Sequence, residues 1–412
     1  MWKNYLKIAS KVLLRRKFFT FVSLFGVSFT LLVLMVSAAL IVHMAYPAKP
    51  GSKLDRSMFV QFIQLKWGDN EIYSRPSYYF LNRYVRTMKQ PEAISISTER
   101  REVSAYVNDR KVTLELKYTD DVFWNIVEFP FLDGRPYDAA AVGNAEPVAV
   151  ITDWTAHQVF GAEPAIGKYL ETTEGNYRVT GVIPKEEITS MLTSSDIYVP
   201  ITTSRFAMTH EEFYSNGMAL VLARDKSDFP SLHSELERQL EWAKQDRPEK
   251  LDELSCLMGT QADLLVASIA AGAIAGKSWL AAAGLFVIAV LFMLFPAINL
   301  VNINISRIIE RSSEIGIRKA FGASSVTLLG QFVAENVFLT LLGGALAFIM
   351  SWIILGIINS SGLLPIGHLQ MNWSIFFAAL ALSLLFGLLS GALPAYRMSR
   401  LHPVDALRGG VA

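Results

Sequence analysis

Phe18-Phe19-Thr20-Phe21-Val22-Ser23-Leu24-Phe25-Gly26-Val27 opens a run that reaches Met44 without one Asp, Glu, Lys or Arg. A helix needs ~20 predominantly apolar residues to cross a bilayer, and this run exceeds that. Three more runs pass the same test: Ser278–Ser306, Asn336–Gly367 and Leu369–Tyr396. One such run could be the core helix of a soluble protein, but four in one chain point to a membrane. The first run could also be read as a signal peptide, because Val36-Ser37-Ala38 resembles a cleavage site. Signal-peptide apolar regions extend over only ~7–15 residues, which favours a retained span.

Composition agrees. Of the 412 residues 18% are charged, against ~25% in soluble domains. The net charge of +1 hides a division. Residues 47–278 hold 25 of the 38 Lys+Arg and 33 of the 37 Asp+Glu, a balance of −8, and the remainder is +9. The polar part is acidic, which argues against a nucleic-acid partner. Positive residues flank the cytoplasmic ends of membrane helices. They cluster at Lys3, Lys7, Lys11, Arg15, Arg16 and Lys17, then at Arg307, Arg311, Arg318 and Lys319, then at Arg397, Arg400 and Arg408. All three clusters fall on one side, so both termini are expected in the cytoplasm and residues 47–277 outside it.

The expected architecture is a membrane protein with four transmembrane α-helices and a large extracytoplasmic α+β domain inserted between helices 1 and 2. Residues 1–17 read as an amphipathic helix on the inner leaflet, with Trp2, Tyr5, Leu6, Ala9, Val12 and Leu13 at helical spacing. The spans are 18–46, 278–306, 326–361 and 372–397. A cytoplasmic loop occupies 307–325, a short external turn 362–371 and a tail 398–412. In 47–277, Val112–Tyr118 alternates as a strand, and Pro147–Thr152 and Tyr177–Ile183 read as two more. Glu92–Val107 is a weaker strand pair. Ser77–Lys89, Asp153–Phe160 and Phe229–Ala243 read as helices, the last with Leu232, Leu236 and Leu240 on one face. Residues 185–228 are expected as a second subdomain, and a helical stalk is expected from about 263 into the second span.

The sequence offers little chemistry of its own. Gly272-Ala273-Ile274-Ala275-Gly276-Lys277-Ser278 has three residues before the Gly-Lys pair, whereas the phosphate-binding loop requires four. The histidines at 43, 157, 210, 233, 368 and 402 have no metal-ligand spacing. Cys256 is the one cysteine, so an intrachain disulfide is excluded. Glu335 is the one ionisable residue inside a span, near its cytoplasmic end. Without a midplane charge, a proton or ion relay lacks its parts. Gly343-Gly344 in the third span and Gly387 and Gly391 in the fourth are candidates for close helix packing, within the chain or in a dimer.

The cytoplasmic loop carries Glu314-Ile315-Gly316-Ile317-Arg318-Lys319-Ala320-Phe321-Gly322. It reads as a short amphipathic helix with a cationic face. Gly322 can end it in the left-handed conformation, and Ser324 or Ser325 can cap the next helix.

This segment, extended through Ala323-Ser324, resembles the coupling segment of the MacB/FtsX-type ABC permeases, a family that includes the lipoprotein-releasing permeases. Gln331-Phe332-Val333-Ala334-Glu335 followed by Gly343-Gly344 is similar to the family's third helix. Leu393-Pro394-Ala395-Tyr396-Arg397 and Pro403-Val404-Asp405-Ala406-Leu407-Arg408 resemble its C-terminal pattern. Phe123 to Gly134-Arg135-Pro136, Pro147 to Phe160-Gly161, and Ile166-Gly167-Lys168 to Val179-Thr180-Gly181-Val182 resemble the MacB periplasmic core.

The resemblance implies a permease subunit in a bacterial inner membrane, working by mechanotransmission with a second permease copy. It implies no enzyme activity and no cofactor bound directly, with ATP and Mg held by a partner ABC ATPase. MacB carries its ATPase fused at the N-terminus. Here 17 residues precede the first span, so a separate ATPase is expected. On this reading Ile315, Gly316, Ile317, Ala320 and Phe321 pack into the ATPase, Glu314, Arg318 and Lys319 make rim salt bridges, and Gly322 sets the turn. Efflux of drugs, peptides or toxins leads over lipoprotein release and over FtsX-like signalling. A periplasmic adaptor is left open. The rival classes are a membrane-anchored enzyme and a receptor.

Overall fold

A computed structural model describes residues 17–45, 52–107, 110–185, 192–204, 211–246, 251–271, 324–361 and 371–381, with 190, 317, 321, 369, 383–385 and 388. The chain forms two compact units, one of which runs over Val42–Ser278.

The strands of that unit are β1 Ser57–Trp67, β2 Asn70–Pro76, β3 Ala93–Thr98, β4 Arg101–Val107, β5 Arg110–Thr119, β6 Asp133–Gly134, β7 Val148–Thr152, β8 Tyr169–Thr172, β9 Gly175–Ile183, β10 Ile197–Pro200, β11 Tyr214–Ser215, β12 Gly217–Leu222 and β13 Glu253–Gly259. They join in one sheet ordered β10-β7-β9-β8-β4-β5-β3-β12-β1-β2-β11, with β13 on β1 and β6 on β9. β10 also pairs β5 in parallel, Ile197 opposite Leu116. The pairing β5-β4-β8-β9-β7-β10-β5 therefore closes into a ring.

Side-chain alternation then sorts the cores. Ala149 and Ile151 of β7 and Ile197 and Val199 of β10 join the main core. Their neighbours Val148, Val150 and Tyr198 point the other way, onto Phe123, Trp124 and Tyr137. Phe123 and Trp124 come from the helical segment Val122–Val127.

Beyond the ring, both faces of β3, β12 and β1 are buried. Ile96, Ala219, Val221, Val60, Ile63 and Leu65 face the main core, with Leu232, Leu236 and Leu240 of the helix Phe229–Asp246. Glu235 of that helix accepts the backbone N–H of Lys89 (2.8 Å) and Gln90 (3.1 Å), which fastens the chain after β2 to it. On the opposite face Phe59, Met218, Leu220 and Leu222 meet Ile126 and Leu264, the last from the helix Gln261–Ala271.

Several expectations are met. β5, β7, β9 and the helix Asp153–Phe160 lie where the sequence places them, and the weak pair becomes β3 and β4. The helix Asp153–Phe160 starts at Thr152, whose hydroxyl accepts the Thr155 N–H at 3.2 Å. Two expectations are corrected. Within the described part of 185–228, β10 pairs β5 and β7 and β12 lies between β3 and β1, so these strands belong to the common sheet rather than to a second subdomain. The expected helix Ser77–Lys89 is shorter: one turn over Tyr78–Phe80 passes into a π-helical turn Leu81–Val85.

We name the membrane-type helices α1 Lys17–Ala45, α2 Ser325–Ser360 and α3 Trp373–Leu385. α1 and α2 are long and apolar enough to cross a membrane, and α3 is a shorter apolar helix. The run Ser278–Ser306, residues 1–16 and the tail 398–412 lie outside the described residues. α1 divides its faces at helical spacing. Val27, Leu31, Met35 and Ala39 are buried, while Phe21, Phe25 and Phe29 form an exposed ladder with ring centroids 6.1 and 5.5 Å apart. Val27 and Leu31 pack with Ala347 of α2 and Ala379 of α3.

Candidate coupling site

Of the expected coupling residues, Ile317 and Phe321 are described; Glu314, Ile315, Gly316, Arg318, Lys319, Ala320 and Gly322 lie outside the described residues. The Phe321 N–H donates to the Ile317 carbonyl at 3.1 Å. An i to i+4 bond of this kind is one turn of α-helix, and it puts the two side chains on one face. Ile317 is 49% exposed and Phe321 89%. The turn thus leaves two large apolar side chains exposed.

The next helix is capped at Ser324. Ser324 has extended backbone, and its hydroxyl accepts the Thr327 N–H at 3.2 Å. Of the two serines proposed as caps, Ser324 does it. From there α2 runs 36 residues, which is ~54 Å at 1.5 Å per residue. That exceeds the ~30 Å of a bilayer core, so α2 is long enough to extend beyond it. Glu335 is buried, about three turns into α2.

Of the four packing glycines, Gly343 and Gly344 meet neighbours within the chain. A Cβ at Gly343 would lie 2.7 Å from Val27 Cγ1, and one at Gly344 would lie 2.7 Å from Leu380 Cδ1. Gly343 thus admits α1 and Gly344 admits α3. Gly387 and Gly391 lie outside the described residues. At its far end, α2 is tied by Asn359. The side chain donates to the Leu369 carbonyl (3.0 Å) and accepts the Leu369 N–H (2.9 Å). Asn372 then caps α3 by accepting the Ile375 N–H at 3.1 Å.

No cluster of metal-ligating side chains occurs among the described residues. The outer domain buries charged side chains that pattern reading missed, and two of them are only 2% exposed. Asp120 accepts from Ser95 Oγ (2.6 Å), Ile96 N (2.9 Å) and Phe123 N (3.1 Å), and pairs with Arg86. Burial raises its carboxyl above the ordinary value, with Arg86 and the Ser95 and Ile96 donors pulling it back. Lys117 is the second. The alternation of Leu114, Leu116 and Tyr118 turns Lys117 to the other face, which reads as solvent. The sheet buries that face too, and Lys117 is 2% exposed.

The described parts are thus apolar helices, a large sheet domain, and an exposed turn ahead of a long helix. MacB-like periplasmic core domains match residues 20–239. FtsX-like permease C-terminal domains match residues 286–403. The chain belongs to the MacB/FtsX family of ABC transporter permeases. It is a membrane protein with an extracytoplasmic domain.

The chain is 28% identical over 269 residues to the macrolide export ATP-binding/permease protein MacB of Bdellovibrio bacteriovorus, covering 63% of this chain and 38% of that protein. It is 26% identical to the ABC transporter permease MJ1507 of Methanocaldococcus jannaschii, covering 65% and 63%. To the ABC transporter permease YknZ of Bacillus subtilis it is 22% identical, covering 82% and 83%. Thus the chain spans well under two thirds of the MacB relative's length and most of YknZ. Among solved structures, the periplasmic region of MacB from Actinobacillus actinomycetemcomitans aligns at 15% identity and a TM-score of 0.38, covering 54% of this chain and 94% of that one.

Proposed function

We propose that this chain is the transmembrane subunit of an ABC transporter that converts ATP hydrolysis by a separate ATPase into movement of its extracytoplasmic domain. The observation that carries this is the Ile317–Phe321 turn, exposed between two apolar runs and set by the Ser324 cap at the start of α2. On this reading four spans cross the membrane, both termini are cytoplasmic, and the acidic segment 47–277 works outside. The 83% coverage of YknZ, itself named a permease, supports a permease whose ATPase is a different polypeptide.

The coupling proceeds mechanically. Ile315, Gly316, Ile317, Ala320 and Phe321 seat in a groove of the ATPase, Glu314, Arg318 and Lys319 pair at its rim, and Gly322 turns the chain toward α2. ATP and Mg bind in the ATPase, whose closure displaces the turn. α2 carries the displacement because Gly343 and Gly344 hold it against α1 and α3. A second permease copy completes the assembly. The cargo is of the export type, drugs or peptides taken up outside the membrane. Lipoprotein release and FtsX-like signalling are the alternatives within the family.

The test is hydrogen exchange of the outer domain in the reconstituted complex, with and without ATP. Gly316→Trp is expected to abolish the ATP-dependent change while the protein remains folded. An unchanged ATP response in that variant would remove the coupling assignment.

A further inference from the structure

On the sheet face away from the helix Phe229–Asp246, a cleft of about 310 Å3 opens between β1, β2, β5, β12 and the helix Gln261–Ala271. Lys117 and Met218 form its buried floor. Phe62 and the leucines 264 and 265 line its walls, and Arg75 and Arg100 stand at its mouth. Ligand cavities span ~300–1,000 Å3 and combine apolar walls with a few placed polar groups, so this one suits a small molecule.

The charges at the mouth are already neutralised. Arg75 pairs with Glu99 and lies over the Phe62 ring at 5.5 Å. Arg100 pairs with Glu115 at 3.0 Å and donates to Ser194 Oγ at 3.2 Å. Lys117 differs. Among the described residues it has no carboxylate partner, and its one hydrogen bond runs to the Thr98 carbonyl at 2.7 Å. An ammonium has three donors and no acceptor, so two donors remain for the cleft. Burial, reinforced by Arg75 and Arg100 and opposed by Glu99 and Glu115, lowers Lys117 to about 7. A buried cation with no carboxylate at ion-pair distance is costly, and a methionine would have packed here without that cost.

We propose that this cleft binds a small amphiphilic carboxylate, its carboxylate on the Lys117 ammonium and its apolar body between Phe62 and Leu264. Glu99 and Glu115 are held by Arg75 and Arg100, so Lys117 has one ammonium free to pair, and a single negative charge, a carboxylate, suits it better than a phosphate dianion. Phe62, Met218, Leu264 and Leu265 call for a hydrocarbon tail. The site lies wholly in the outer domain and does not depend on the coupling turn or on an ATPase.

Equilibrium dialysis of radiolabelled octanoate tests it, using the full chain in nanodiscs of neutral lipid with empty nanodiscs as background. Wild type should show one saturable site, and octylamine none. Lys117→Met should weaken octanoate about tenfold or more, the scale of a lost charge-assisted hydrogen bond. Leu265→Trp, which fills the cleft from a half-buried position and keeps Lys117, should block binding while leaving thermal unfolding cooperative. Absence of a saturable site in wild type would overturn the proposal. So would undiminished binding in folded Leu265→Trp, a reading that stands even if Lys117→Met does not fold.

Discussion

Gly343 of α2 meets Val27 of α1 without room for a side chain, since a Cβ there would lie 2.7 Å from Val27 Cγ1 and 2.9 Å from its Cβ. Val27 is β-branched and stiff, so the helices themselves must part to admit one. Gly343→Leu should destabilise the helix unit by about 1–3 kcal/mol, the usual cost of overpacking. Gly343→Ala should cost less, and Val27→Ala should relieve it. Unfolding titrations of the two single variants and the double variant in detergent measure the coupling. Additive costs would show that the contact is absent.

A second close approach organises the outer domain. Gly134 has φ +70°, and a Cβ on it would lie 2.2 Å from the Thr180 carbonyl oxygen. Gly181 faces it across the β6–β9 pair. Gly134→Ala should therefore lower stability by ~2 kcal/mol or more, through backbone strain and the forced separation of β6 from β9. Differential scanning calorimetry of the full chain should show the loss in the outer-domain transition.

Lys117 sets a pH dependence of stability. Its ordinary value is 10.5 and its folded value about 7. Between those limits the unfolded chain binds the extra proton, so this group makes stability rise with pH. The slope from one proton is at most about 1.4 kcal/mol per pH unit. The contribution is complete above the unfolded value and lost as pH falls through about 7. Lys117→Met should raise the unfolding temperature at pH 7 and flatten the profile from pH 7 to 10. A parallel profile in the variant would mean that Lys117 is solvated.

Much of this fold is legible where one face meets water. The helix Phe229–Asp246 shows Leu232, Leu236 and Leu240 at i, i+4, i+8 because its far side is exposed. β1 carries no such mark. Phe59 and Phe62 face one core while Val60, Ile63 and Leu65 face the other, and a register shift between Val60 and Phe62 breaks the period. β10 and β12 are continuous apolar runs for the same reason, and their partners are remote in sequence. That is why 185–228 reads as a separate piece. The π-helical turn Leu81–Val85 leaves no compositional trace. At the coupling site, the Ser324 cap and the Ile317–Phe321 pairing follow from local spacing. Burial of Lys117 does not, because strand alternation says which face a residue takes and not what covers that face.

The central claim is that a separate ATPase binds the Ile317–Phe321 turn. The most direct measurement is co-purification of the detergent-solubilised protein from its own cells, comparing wild type with Phe321→Asp and Gly316→Trp. Mass spectrometry identifies the retained proteins by the ATP-binding sequence. Phe321 is exposed, so Phe321→Asp leaves the fold intact while placing a charge in the contact. The account predicts an ABC ATPase retained by wild type and lost from both variants, all three proteins remaining folded. An ATPase retained equally by the folded variants, or absent from wild type, would contradict it.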